Sequence, residues 1–159
     1  MDKKRVLALD ISSSSTGFAW LINEKIPSQK PGVIECSGLT IKERVNCLTS
    51  GLISTVVGGP LDIIVIEDTF FSKNVKTLKL LNYLAGVALC VMNEHYPDTP
   101  IVFMTVREVR KLLGTKDKKD TFEYIKDRYK LEDYNFKEHN DITDALALAL
   151  AYTIKDKDK

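Results

Sequence analysis

The chain has 159 residues, 44% of them hydrophobic and 28% charged, and its 23 basic and 22 acidic side chains leave a net charge of +1. Such a chain buries roughly two-thirds of its extended surface in one ordinary domain and is neither disordered nor globally polarised toward nucleic acid. Uninterrupted apolar stretches fall short of the roughly 20 residues of a membrane span, and the N-terminus MDKKRVLALD turns acidic before a signal-peptide core develops.

Cys36, Cys47 and Cys90 are odd in number and lack paired spacing. The expectation is therefore no disulfide framework, no structural zinc and a reducing cytosolic setting.

In chain order, residues 5–10 (RVLALD) predict a buried strand and residues 12–15 a turn. Residues 17–23 (GFAWLIN) and 33–36 predict two further strands of an antiparallel meander. Thr40-Ile-Lys-Glu43 has the form of a capping box, followed by Ile41, Val45, Leu48, Leu52 and Val56 at helical spacing, with Gly58, Gly59 and Pro60 as the stop. Residues 62–67 (DIIVIE) read as a central strand. A long helix is predicted over 75–95, then a strand over 101–104. Thr105-Val-Arg-Glu108 is a second capping box, opening a helix that Gly114 ends. An amphipathic helix carries Phe122, Ile125 and Tyr129, and a final helix is expected from about Asn140 through Tyr152. The order predicts a mixed five-stranded α/β sheet, three antiparallel strands followed by parallel crossovers, with helices on both faces. Residues 1–154 are expected to form one domain and 155–159 a charged, frayed tail.

Asp10 ends the first strand and Glu67 the fourth, each directly after an apolar run. Asp141 and Asp144 are spaced i, i+3 on the last helix and share a face. Active sites of open α/β sheets gather beyond the carboxyl ends of the strands. Carboxylates without histidine or cysteine are hard-oxygen ligands suited to Mg²⁺ or Mn²⁺, and close packing of several requires a cation.

LALDISSSSTGFAW around Asp10, VIEDTFFSKN around Glu67 and HNDITDALALALAY around Asp141 and Asp144 resemble, in order and spacing, the RuvC-type Holliday-junction resolvases of the ribonuclease H-like superfamily. The resemblance runs from about residue 5 to residue 153. It implies a ribonuclease H-like fold and a Mg²⁺-dependent endonuclease, with Mn²⁺ able to substitute, that resolves four-way and other branched DNA and leaves 5′-phosphates. It places the four catalytic, metal-binding carboxylates on Asp10, Glu67, Asp141 and Asp144. The family's Pro-Gly after the first aspartate is replaced here by Ile-Ser-Ser-Ser-Ser, and its amide after the glutamate by Asp68. A compact resolvase of this kind implies a cytoplasmic protein of a bacterium, or of a phage in a bacterial host.

Residues 105–119 hold six basic and two acidic residues, so Arg107, Arg110, Lys111, Lys116, Lys118 and Lys119 are the candidate phosphate contacts. The resemblance puts an active-site lysine among Lys116, Lys118 and Lys119 without choosing one. It also aligns Phe70 with a base-stacking aromatic, in a loop with Lys73 and Asn74. A homodimer is expected, because a four-way junction needs two nicks. The long helix is also apolar on several faces, leaving Leu80, Leu84, Val87 and Val91 to find a second surface. Two other readings remain. One is a non-catalytic module that binds branched DNA. The other is a sugar-kinase or actin-like ATPase, suggested by DISSSSTGFA but lacking the second domain and the later Gly-rich nucleotide motif.

Overall fold

A computed structural model of the chain describes residues 4–69 and 74–157. The strands are β1 (Arg5–Ile11), β2 (Ser15–Ile22), β3 (Gly32–Glu35), β4 (Ile63–Glu67) and β5 (Ile101–Met104). They form one sheet in the order β3-β2-β1-β4-β5. β1 pairs antiparallel with β2 and parallel with β4, β2 pairs antiparallel with β3, and β4 parallel with β5.

Strand alternation explains the layering. Val6, Ala8, Ile63 and Val65 point to one face, where α5 (Phe136–Lys157) lies against the sheet and α3 (Val106–Leu113) and α4 (Lys118–Tyr129) pack on α5 to complete the core. Leu7, Leu9, Ile64 and Ile66 point to the other, against α1 (Ile41–Gly51) and α2 (Val75–His95). Both faces of β1 and β4 are thus buried, as their unbroken apolar runs require. Ala145, Ala147, Ala149 and Ala151 are all buried, because α5 lies between the sheet on one side and α3 and α4 on the other.

Both capping boxes form: Thr40 with Glu43, and Thr105 with Glu108, the latter helix ending at Gly114 in the left-handed region. α1 runs on into a π-helical turn over Leu52–Val56.

Several expectations are corrected. β2 begins at Ser15 rather than Gly17, because Ser12 N–H donates to the Ser15 carbonyl at 2.8 Å and closes a tight turn. α5 begins at Phe136 rather than near Asn140. Asn135 caps it, accepting from Glu138 N–H at 3.0 Å while its amide donates to Glu138 Oε2 at 2.9 Å. α5 also continues to Lys157, into the expected tail, held there by pairs of Lys155 with Glu108, Asp156 with Lys4, and Lys157 with Glu24.

A disulfide joins Cys36 to Cys47, contrary to the expectation from cysteine count. The reversal between β3 and α1 brings their Cα atoms to 6.0 Å, a proximity that a separation of 11 residues does not advertise. Cys90 remains a free, exposed thiol.

The reading of α2 also changes. By length and composition this helix could cross a bilayer, which counting uninterrupted apolar residues does not anticipate. Here Leu84, Ala88, Val91 and Met92 are buried in the core that α2 forms with α1 and β1, with Leu80 and Val87 packed beside them. Leu84 and Val91 therefore need no second chain to cover them. The large apolar side chains that α2 leaves exposed are Val75 and Tyr83.

Candidate active site

The β1–β4 register pairs Leu9 with Ile66, so the next residues, Asp10 and Glu67, stand side by side at the carboxyl ends of the two strands. Across the antiparallel ladder Asp10 faces Gly17. Directly opposed residues share a face, and the missing side chain of Gly17 leaves the space into which α5 descends. A Cβ on Gly17 would lie 2.1 Å from the Asp141 carbonyl oxygen. This close approach delivers Asp141 to the strand ends, and Asp144 follows on the same face of α5.

Oxygens of Asp10, Asp141 and Asp144 lie within 4.8 Å of one another, each side chain partly buried. They line a cleft of about 330 Å³ together with Glu67, Arg110, Lys118 and residues of α2 including Thr77 and Leu81. Lys118 Nζ contacts Asp144 Oδ2 at 2.8 Å, and Ser15 Oγ donates to Asp141 Oδ2 at 2.7 Å.

The electrostatics are those of crowded anions short of positive charge. Burial, then the charges of Glu67, Asp144 and Asp141, push the Asp10 carboxyl well above its ordinary range. Burial and Asp144 push Glu67 up to about 7, although a hydrogen bond to Asp10 pulls the other way. Asp144 is raised by burial, against the opposing pull of Lys118. Burial acts to lower the Lys118 ammonium, but its hydrogen bond and charge pairing with Asp144 outweigh this and raise it. An all-oxygen donor set whose burial and mutual repulsion resist ionisation fits a hard divalent cation, which would restore the charged forms.

The four predicted carboxylates thus converge on one cleft. Of the lysines at 116, 118 and 119, Lys118 enters it, carried by the first turn of α4. Arg110 also lines it, while Arg107, Lys111, Lys116 and Lys119 are exposed outside its lining. Asn74 is exposed and caps α2, accepting from the N–H groups of Lys76 and Thr77. Phe70 and Lys73 lie outside the described residues. Asp68 is exposed beside Glu67 and donates its backbone N–H to the Met104 carbonyl. Sequence reasoning missed Ser15 and Gly17. Their two-residue spacing on one strand was the available signal, hidden because the serine run reads as a turn.

Residues 6–152 match the family model described as crossover junction endodeoxyribonuclease RuvC. The RuvC of Dictyoglomus thermophilum is 31% identical over 159 residues, covering 94% of this chain and 96% of the relative. That of Ehrlichia ruminantium (strain Welgevonden) is 29% identical over 163 residues, covering 94% and 98%. Among solved structures, Thermus thermophilus RuvC in complex with a Holliday junction substrate superposes with a TM-score of 0.82 at 17% identity, over 97% of this chain and 95% of that one. The yeast mitochondrial Holliday junction resolvase superposes with a TM-score of 0.65 at 11% identity, over 96% and 78%. The shared architecture is the ribonuclease H-like fold.

Proposed function

The chain belongs to the RuvC family of crossover junction endodeoxyribonucleases, and from that membership and the carboxylate cleft we propose a divalent-metal-dependent nuclease that resolves Holliday junctions and related branched DNA. The observation that carries the chemistry is the convergence of Asp10, Asp141 and Asp144 within 4.8 Å, with Glu67 on the adjoining strand. In this reading these four side chains hold Mg²⁺, for which Mn²⁺ substitutes. When bound, such an ion would supply positive charge against the phosphate and lower the pKa of a water.

The protein's own groups do the rest. Lys118 and Arg110 place positive charge at the cleft, where a phosphodiester must approach a ring of acids. Arg107, Lys111, Lys116 and Lys119, exposed beyond the cleft, suit contacts to flanking phosphates. Hydrolysis leaves a 5′-phosphate and a 3′-hydroxyl. Phe70, with Lys73 and Asn74, is proposed to meet bases at the opened crossover. Two chains related by a two-fold axis supply the paired cuts, and the open side chains of α2, Val75 and Tyr83, suit that contact. The domain, expected over residues 1–154 and carried by α5 on to Lys157, is the nuclease unit, working in the cytoplasm of a bacterium or of a phage-infected host.

A synthetic four-way junction labelled on each strand in turn tests the reading. With Mg²⁺ or Mn²⁺ the wild-type protein should nick two opposing strands, and DNA ligase should reseal the nicks, which requires 5′-phosphates. Asp144→Asn should bind the junction without cutting it. Junction binding by wild type with no cleavage in either metal would instead identify a non-catalytic binding module.

A further inference from the structure

The serines at 12–15 have no part in the reading above, yet two of them run directly to the carboxylate cleft. Ser15 is buried, 7% exposed, and opens β2 two residues before Gly17, on the same face of the strand. α5 therefore crosses β2 with the Asp141 main chain over Gly17 and the Asp141 carboxylate over Ser15. A hydroxyl carries one proton to give, and a carboxylate oxygen can take it. The 2.7 Å contact thus commits the Ser15 proton to Asp141 Oδ2.

Ser12 fixes the donor in turn. Its Oγ accepts from Ser15 N–H at 3.1 Å, donates to the Ser15 carbonyl at 2.9 Å and lies 3.0 Å from Ser15 Oγ. Backbone and side chain of Ser15 are both tied to Ser12. Asp144 has its own anchor in Lys118, and Ser15 plays the matching role for Asp141.

We propose that Ser15, braced by Ser12, is a positioning residue that holds the Asp141 carboxylate aimed into the cleft for divalent-metal binding. The proposal rests on the four carboxylates being the metal site. Removing a group that orients a metal ligand costs roughly 10–100-fold in metal affinity, and that loss is what the hydroxyl should control.

Mn²⁺ titration calorimetry on the full chain without DNA tests this. Ser15→Thr and Ser15→Val have nearly the same shape and differ in the hydroxyl, so their comparison cancels packing. Ser15→Thr should bind Mn²⁺ within about twofold of wild type and Ser15→Val roughly tenfold more weakly, with similar metal-free melting temperatures. Ser15→Ala against wild type gives the same comparison without added bulk, and Ser12→Ala should show a smaller loss. Equal Mn²⁺ affinity for the Thr and Val variants, or a loss that only follows a fall in metal-free melting temperature, overturns the proposal. Asp141→Asn separates the two levels: if it binds Mn²⁺ as wild type does, the metal-site reading itself has failed, whatever Ser15 does.

Discussion

Asp10 and Gly17 face each other across the β1–β2 ladder, and the space beside the aspartate that glycine leaves empty is filled by the backbone of Asp141. The carboxylate cluster therefore depends on a residue that carries no functional group. A methyl on Gly17 would stand 2.1 Å from the Asp141 carbonyl oxygen, and backbone cannot swing aside as a side chain can. Gly17→Ala should cost about 1–3 kcal/mol through overpacking. Cleavage per folded molecule should also fall, because α5 must lift from the sheet. Denaturant unfolding and a junction-cleavage assay on the same preparation check both; unchanged cleavage would show that the approach is not needed for the site.

The buried acids predict how stability depends on pH. Glu67 is raised from an ordinary value of 4.5 to about 7, and Asp10 and Asp144 are raised as well. The folded state thus retains protons that the unfolded chain has released. This contribution is fully present below the unfolded pKa values and is lost as pH rises through about 7. Without metal, the melting temperature should fall between about pH 5 and pH 8. Saturating Mg²⁺ should flatten or reverse that slope, since binding requires the ionised forms. Scanning calorimetry with and without metal reads both arms, and a metal-free melting temperature that climbs across this window would contradict the assignment.

Lys118 is the lysine that reaches the acids, 2.8 Å from Asp144 with 47% of its own side chain exposed. Lys118→Met should reduce cleavage by at least tenfold while Lys116→Met and Lys119→Met remain within a few-fold of wild type. The exposed pair should act through phosphate attraction, so their small defects should be sensitive to salt. Single-turnover cleavage at two ionic strengths separates the roles. Equal effects for the three lysines would return Lys118 to the surface class.

Leu84 and Tyr83 are neighbours on α2 with opposite surroundings, 4% and 59% exposed. A buried glutamate at 84 lacks a partner, so Leu84→Glu should unfold the chain rather than merely separate two copies. Tyr83→Glu should leave the melting temperature nearly unchanged and convert the proposed dimer to a monomer that no longer makes paired nicks. Sedimentation with thermal unfolding distinguishes the two variants. A Tyr83→Glu protein that still sediments as a dimer would move the contact elsewhere.

The sheet, most of the helix starts and the carboxylates that meet in the cleft are legible in the sequence. Those features are written in local patterns: unbroken apolar runs for β1 and β4, capping boxes at Thr40 and Thr105, and acids at strand ends and at i, i+3 on α5. The start of α5 is written in Asn135 three residues before Glu138, a capping pattern that the expected start near Asn140 passes over. The rest depends on how the elements pack. Three nearby lysines have the same charge, and the seating of α4 against α5 brings Lys118 into the cleft. Leu84 looks surplus on an apolar helix until α2 is seated on α1 and β1. Cys36 meets Cys47 because the chain reverses between β3 and α1. Ser15 and Gly17 matter because α5, more than a hundred residues away in sequence, lies directly over them. A one-dimensional pattern reports which face of an element is apolar, whereas the partner of a single polar atom is set by rotations and offsets between elements that no local period encodes.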